Sequence, residues 1–334
     1  PASLLTFFEK ELKAPADKAL SEDEQDYRHE CLVILLGTTG KYLKKDIDTL
    51  TSIIKLLVKE LTTPSETVQE AVADCLVPLG QVVKETDLAK DTLELLLSDV
   101  TSAASYGDRR GAAFGIGAFV KGMGIAVLKG HNIVNRLKEA AEKGTPQSRQ
   151  GALGAFECLC ARLGFLFEPY VIVIFPVMLK CVSNSNDLVR DGAKATLAVI
   201  MNKLTAHGMR QVLAPVLNEL VSESQWKTRA EATRLLGYIV QCASKQVASS
   251  LPQIVDSITE ALSDPHPKVK DAAKQAMADV SGSIRNPELG RISGSLVGAL
   301  SDPANKTKAA LDALLQCEFV HSIDAPSLAI LVPV

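Results

Sequence analysis

The chain has 334 residues, of which 47% are hydrophobic and 22% are charged, and its formal net charge is −3. This composition is ample for a folded, soluble protein, and no apolar run reaches the roughly 18 residues that a transmembrane helix needs. The charge is uneven, since residues 1–106 contain 11 basic and 19 acidic side chains, whereas residues 107–334 contain 25 and 20. The mildly basic remainder is a hint of an anionic partner.

A short pattern recurs about every forty residues: a basic residue, two spacers, and a small or apolar residue. Its first positions are residues 28, 69, 110, 149, 190, 229, 270 and 308, separated by 38 to 41 residues. A period of this length predicts an array of helical pairs, cut from a longer chain because both of its ends are apolar. The predicted repeats are 1–41, 42–81, 82–123, 124–164, 165–204, 205–244, 245–284 and 285–322, and a ninth repeat begins at 323–334.

Each repeat has the same predicted anatomy of helix, polar turn and helix. In the seventh repeat, for example, a helix over 251–262 precedes a turn over 263–268 and a second helix over 269–280. The stretch 170–179 is rich in β-formers, but the period places a first helix there. Pro176 and Pro215 lie inside first helices, where proline bends the axis. The predicted fold class is therefore all-α: one HEAT-repeat α-solenoid over 1–334, a right-handed superhelix of about eight helical pairs.

The glycine-rich stretch 105–124 is predicted to be the second helix of the third repeat. Gly111 and Gly115, four residues apart, give this helix a thin face for a close neighbour, and Gly122 and Gly124 end it. A dinucleotide-binding loop would need glycine where Val120 stands. No phosphate-binding cofactor is therefore expected.

The basic register positions and an acidic or amide residue six positions earlier are predicted to form hydrogen bonds between repeats. In this interpretation Arg110 belongs to the ladder, whereas Arg109 is exposed on the preceding turn. The predicted ladder residues are Arg110, Arg149, Arg190, Glu223, Arg229, Asp264, Lys270, Asp302 and Lys308.

No catalytic or metal-binding constellation is visible. The five histidines are isolated from one another and from the cysteines, and no nucleophile elbow, zinc-binding or kinase motif occurs. The seven cysteines are interpreted as reduced core thiols of a cytoplasmic protein. We therefore expect a protein that is not an enzyme and has no cofactor, metal or small-molecule substrate.

The turns between helices predict a binding edge. Two residues before the ladder positions stand Lys227, Lys268 and Lys306, in consecutive repeats, and stacking would place them in a row. The helix N-termini at this edge add positive potential, so it could track a phosphate backbone or an acidic protein surface. The alternative is three solvated lysines without a partner. Trp226 and Arg109 are further contact candidates, with packing at a turn as the alternative for Trp226.

Several longer strings are more specific than the period. They are YGDRRGAAFG at 106–115, LFEPYV at 166–171, WKTRAEATRLLG at 226–237, IRNPE at 284–288 and FVHSIDAPSLAILVP at 319–333. Together they resemble the central, elongation-factor-three-like region of the general-control-nonderepressible translational activator family. The resemblance is strongest from about residue 105 onward.

This resemblance implies a cytoplasmic scaffold that binds ribosomes and an ATP-binding-cassette partner. It also implies an indirect link to the kinase that phosphorylates initiation factor two, and no membrane. Two alternatives remain open: another HEAT scaffold, such as a nuclear transport receptor or a phosphatase scaffold, and the HEAT arm of an elongation-factor-three-type ATPase.

Overall fold

A computed structural model describes residues 2–12, 14, 20–43, 46–220 and 225–334, and the regular elements among them are all helical. Eighteen α-helices follow one another in this described part, with short 3-10 turns at Gly164–Phe167 and Ala248–Ser250. The helices are α1 Ala2–Leu12, α2 Glu22–Lys41, α3 Ile47–Glu60, α4 Glu66–Val83, α5 Asp87–Ser102, α6 Tyr106–Met123, α7 Ala126–Gly130, α8 Ile133–Lys143, α9 Pro146–Leu163, α10 Glu168–Val182, α11 Asp187–Lys203, α12 Ala206–Asn218, α13 Trp226–Val247, α14 Leu251–Leu262, α15 Pro267–Gly282, α16 Pro287–Ser301, α17 Pro303–Leu315 and α18 Ala325–Leu331.

The helices fall into two compact units. The N-terminal unit comprises residues 1–167 and 186–196, and the C-terminal unit comprises residues 168–185 and 197–334. The helix pairs that pack on one another are α1 and α2, α3 and α4, α5 and α6, and α8 and α9 in the N-terminal unit, and α12 and α13, α14 and α15, and α16 and α17 in the C-terminal unit. The single continuous array over 1–334 stays a prediction.

In the N-terminal unit the second helices of successive repeats pack on one another. α4 lies between α2 and α6, and α6 packs in turn on α9, while α3, α5 and α8 each cover one of these helices. The first helices are amphipathic, as Leu50, Ile53, Ile54 and Leu57 of α3 show by their spacing and complete burial. This alternating arrangement encloses a continuous apolar core whose largest side chains include Phe119.

Local signals set the helix boundaries. Ser21 and Glu24 form a capping box at the start of α2, and Ser105 and Thr145 cap α6 and α9 through their side chains. The β-rich stretch at 170–179 is helical within α10, as the period predicted. Pro176 lies inside α10 and Pro215 inside α12.

The glycines of α6 serve close packing on more than one side. A Cβ at Gly111 would stand 1.9 Å from the Leu61 carbonyl oxygen, and one at Gly122 would stand 2.2 Å from that of Val77. The prediction that Gly122 ends the helix is wrong, because α6 continues to Met123 and packs there against α4. Gly124 does end it, with a φ of 100° that favours glycine.

In the C-terminal unit α13 packs on α15, while α12 and α14 cover these helices. The last pair departs from this scheme. α17 packs chiefly on α16, and α18 returns to contact α14, α15 and α16. Among the residues of α17 only Ala310 is buried, and Leu315 at its end is 85% exposed.

One stretch of the described chain, Pro146–Val182, is long and apolar enough to cross a membrane by length and composition. Half of its most apolar window is buried in the structure. It consists of α9 and α10 with the 3-10 turn between them, where Gly164 has a φ of 58°.

Candidate partner-binding edge

The arginine ladder is best defined around Arg110. Its Nε donates to Gln69 Oε1 over 2.8 Å, and its two terminal nitrogens bond to Pro64 O and Glu66 Oε2 over 2.7 and 2.9 Å. All three acceptors belong to the preceding repeat. Arg110 therefore links α6 to the start of α4.

Arg109 lies where sequence reasoning did not place it. The prediction that it is exposed is wrong: only 4% of the residue is accessible. Its guanidinium donates to the carbonyl oxygens of Ala103 and Ala104 over 2.9 Å each, and to Gln150 Oε1 over 3.0 Å. These bonds tie the turn before α6 to α9, so Arg109 is a structural residue of the N-terminal unit.

Arg109 is buried because of its position relative to the start of α6. α6 begins at Tyr106, so Arg109 is its fourth residue, just as Gln69 is in α4 and Arg149 is in α9. Each of these side chains turns back to carbonyl groups of the turn before its helix. Arg149, for example, bonds to Gly144 O and Glu142 O over 3.1 and 2.5 Å.

The C-terminal unit contains a strong ladder pair. Arg229 binds Asp264 through two hydrogen bonds of 2.9 and 3.2 Å, and both side chains are nearly buried. Burial raises the pKa of Asp264, but the hydrogen bonds from Arg229 and from the His266 backbone N–H outweigh it and lower the pKa. This pair fixes α13 against the turn before α15.

The structure describes different surroundings for the other predicted ladder residues. Arg190 pairs with Asp187 of its own helix, and Asp302 accepts from Asn305, also within one helix. Lys270 and Lys308 have no hydrogen bond or ion pair with another described residue, and Glu223 lies outside the described residues. Among the described residues, side-chain contacts between repeats are present at Arg110 and Arg229, and the rest of the ladder stays a prediction.

The predicted binding edge centres on Trp226. Its indole stacks on the His266 imidazole, with ring centroids 4.1 Å apart and planes 7° from parallel. The ammonium groups of Lys227 and Lys268 lie 5.8 and 5.3 Å from the indole centroid. Both lysines are exposed, and each is the second residue of its helix. We call Trp226, Lys227, His266 and Lys268 the tryptophan edge.

Lys306 does not join the tryptophan edge. It is the fourth residue of α17, which follows α16 after the single residue Asp302 and packs on α16. The predicted row of three equivalent lysines is therefore wrong. Lys227 and Lys268 flank one indole, whereas Lys306 lies on α17, which packs chiefly on α16.

Sequence reasoning missed the stack itself. Trp226 and His266 are one repeat period apart, at the boundary between turn and second helix in neighbouring repeats. Residues at equivalent positions of stacked repeats meet, so that spacing was the available signal. The arrangement is of a kind that suits an anion, because two ammonium groups and the N-termini of α13 and α15 lie beside a stacked aromatic pair.

Comparison with known proteins identifies relatives along the chain. The family model for the EF3 N-terminal HEAT repeat matches residues 109–277. The "Stalled ribosome sensor GCN1" of Homo sapiens is 42% identical over 334 residues, which is 99% of this chain and 12% of that protein. The "eIF-2-alpha kinase activator GCN1" of Saccharomyces cerevisiae is 35% identical over 98% of this chain and 12% of its own length.

More distant matches extend the same picture. "Elongation factor 3" of Gonapodya prolifera is 27% identical over 71% of this chain and 22% of that protein. The crystal structure of Kap121p bound to Pho4p superposes with a TM-score of 0.52 over 93% of this chain and 33% of its own, at 12% identity, which shows the fold alone. The chain spans 12% of the length of its GCN1 relatives. The predicted all-α HEAT-repeat class and the resemblance to the translational activator are confirmed.

Proposed function

The chain belongs to the EF3 N-terminal HEAT-repeat family, and on that premise we propose that it is a non-catalytic scaffold segment of a translational activator. It acts in the cytoplasm and contacts the ribosome. An ATP-binding-cassette protein is a second partner, and the initiation factor two kinase is reached indirectly. The relatives named as stalled ribosome sensor and as eIF-2-alpha kinase activator support this proposal.

The proposed ribosome contact is supported chiefly by the tryptophan edge. Lys227 and Lys268 are exposed cations that have no ion pair with another described residue, so both ammonium groups are available to a ligand. The stacked rings of Trp226 and His266 hold the two helix starts together. Such an edge matches the phosphate groups of ribosomal RNA or the carboxylates of an acidic ribosomal protein.

The neighbouring bidentate pair keeps this edge in place. Arg229 and Asp264 neutralise one another directly behind the lysines, so the pair adds rigidity without adding net charge. The positive potential of the edge therefore depends on Lys227, Lys268 and the two helix N-termini. Charge reversal at the two lysines removes most of it.

The test is co-sedimentation of the chain with purified eukaryotic ribosomes over a salt series. The double variant Lys227→Glu, Lys268→Glu is expected to bind at least about tenfold more weakly and with a flatter dependence on salt, since each lost phosphate contact lowers the slope by roughly one. The matched control is Lys245→Glu, Lys274→Glu, which reverses two exposed lysines of the same helices away from the edge. Equal ribosome binding by the two double variants would refute the contact.

The ATP-binding-cassette partner is tested separately by pull-down with that protein purified free of ribosomes. Wild-type chain is expected to retain it in the absence of ribosomes. Failure of this arm with intact ribosome binding would remove the second partner from the proposal and leave the first.

A further inference from the structure

An open groove crosses the N-terminal unit on the side away from its first helices. Side chains of α6, α9 and the start of α11 line it, and its volume is about 430 Å³. Tyr106, Phe114 and Leu188 provide apolar walls, and Tyr106 and Leu188 are 54% and 45% exposed. We call this feature the acidic groove, because Glu157 and Asp191 are its unpaired charges.

Two glycines, Gly154 and Gly192, leave the floor of the acidic groove without side chains, although the packing of neighbouring helices would allow a Cβ at both positions. A Cβ at Gly154 would meet its nearest neighbour, Ala113 Cβ, at 3.9 Å, and one at Gly192 would meet Leu153 Cδ1 at 3.7 Å. These are ordinary van der Waals distances, in contrast to the 1.8 Å that a Cβ at Gly151 would leave to Val100 O. Glycine within a helix is unfavourable relative to alanine. At 154 and 192 it therefore leaves space in the groove rather than space for a neighbouring helix.

The carboxylates of the groove have no cation. Glu157 and Asp191 form no hydrogen bond or ion pair with any other described residue. Burial raises the pKa of the Glu157 carboxyl, and the nearby carboxylate of Glu66 raises it further. The two guanidinium groups beside the groove are engaged elsewhere: Arg110 binds Glu66 and the turn before α4, and Arg109 binds the turn before α6.

A second, independent feature indicates the kind of occupant. Arg109 lines the groove, is only 4% exposed, and its Nε has no hydrogen-bond acceptor. A buried donor without an acceptor is unfavourable, and a carbonyl oxygen would satisfy it. The groove thus offers acceptors for a cationic side chain, apolar contacts for its neighbour, and a donor for a backbone carbonyl. An extended peptide supplies all three.

Charge beyond the groove favours the same occupant. A further depression of about 320 Å³ between α2 and α4 is lined by Glu30, Glu70, Asp74 and Lys41, and Asp74 is paired with Arg162. The N-terminal unit, residues 1–167 and 186–196, carries 22 basic and 25 acidic side chains, so its net charge is mildly negative. We propose that the acidic groove binds an extended basic segment of a partner protein, with a lysine or arginine at Glu157 and Asp191 and an apolar side chain against Phe114.

The experiment selects random short displayed peptides on the whole immobilised chain, then measures synthetic labelled copies by fluorescence anisotropy. Enriched peptides are expected to combine lysine or arginine with apolar residues. They should bind at least about tenfold more weakly to Gly154→Leu, which fills the groove, and to the double variant Glu157→Gln, Asp191→Asn. Gly294→Leu is the matched control, because Gly294 is an open helical position of the C-terminal unit.

Each other outcome counts against the proposal. No enrichment, enrichment of acidic peptides, or equal binding by Gly154→Leu would overturn it. Displacement of the peptides by a labelled single-stranded RNA would assign the groove to nucleic acid, and self-association that is lost in Gly154→Leu would assign it to a second copy of the chain. Circular dichroism melts check that the variants fold. Neither variant touches Lys227 or Lys268, so ribosome co-sedimentation reports on the proposed function separately.

Discussion

Replacement of Arg109 by alanine tests how the N-terminal unit is held together. The arginine side chain joins three acceptors: the carbonyl oxygens of Ala103 and Ala104 before α6, and Gln150 Oε1 on α9. Alanine removes all three bonds at once. The variant should therefore loosen both the turn and the contact between two successive second helices.

The magnitude follows from the accessibility of the acceptors. An acceptor left unpaired in a buried site costs about 1–3 kcal/mol, whereas an acceptor that water can reach costs much less. Ala104 is exposed and Ala103 is half-buried, so water replaces part of what the guanidinium supplied. The loss of the unpaired Nε donor offsets a further part. We expect Arg109→Ala to lower the free energy of unfolding by about 2 kcal/mol, which is roughly 4–8 °C for a unit of this size.

The assay is urea unfolding followed by circular dichroism, with hydrogen exchange measured over residues 103–110. Arg110→Ala should also destabilise, by about 1–2 kcal/mol, because Oε1 of the fully buried Gln69 loses its donor. The matched control is Arg136→Ala, whose ion pair with Glu94 is exposed and should contribute less than about 1 kcal/mol. If Arg109→Ala unfolds at the same urea concentration as Arg136→Ala, its hydrogen bonds do not stabilise the unit.

Three further predictions concern single side chains. Gly111→Ala should lower the free energy of unfolding by about 1–3 kcal/mol, because its Cβ would lie 1.9 Å from a carbonyl oxygen. Gly154→Ala should raise it by about 0.5–1 kcal/mol, because the position is open and alanine favours the helix. Thermal melts of the two variants measure both effects. The folded pKa of Asp264 is lowered, so its bond to Arg229 contributes stability above about pH 4 that is lost as pH falls through the folded value. Asp264→Asn should consequently be less stable than wild type at about pH 7, and urea unfolding should show the difference narrowing as the pH falls below the ordinary aspartate pKa of about 4. Burial, reinforced by nearby carboxylates, raises the pKa of Cys158 to about 12, so iodoacetamide at about pH 8 should label it only after unfolding, as read by mass spectrometry.

The repeat period was predictable because it depends on little more than the spacing of apolar residues. An amphipathic helix needs one apolar stripe, and two such stripes per forty residues define a helical pair regardless of the sequence and length of the turns. The β-rich stretch in α10 shows the strength of this constraint. Neighbouring helices fix its conformation against its own composition.

The register within a repeat was not predictable from the basic motif alone. Arg109 and Arg110 are adjacent and both fit it, and only the start of α6 decides which of them turns back toward the preceding turn. Ser105 sets that start, because its side chain accepts from the Asp108 N–H and makes Tyr106 the first helical residue. A serine three residues before an acidic residue is a recognisable capping signal, and here it predicts the start of α6.

The misplacement of Lys306 has a similar cause. A Ser-Asp-Pro sequence occurs at 263–265 before α15 and at 301–303 around the start of α17, so the two turns look equivalent in the sequence. Before α15, however, a second proline at 267 holds His266 in an extended conformation, with φ −90° and ψ 124°, and delays the helix. No second proline follows Pro303, so α17 begins there at once and its lysine is carried half a turn away from the position of Lys268.

The two proposed surfaces differ in how they would recognise a partner. At the tryptophan edge the rings are already stacked and the lysines point to solvent, so binding there requires no rearrangement and its strength depends on ionic strength. At the acidic groove the Glu157 carboxylate is partly buried and has no cationic partner among the described residues. A basic partner would gain binding free energy by pairing with it, and an anionic partner would be repelled. Added salt weakens both contacts and cannot tell them apart. Reversal of charge can, because it converts attraction into repulsion at one surface only. Each surface is built from side chains of a single compact unit, so a variant at one should leave the affinity of the other unchanged.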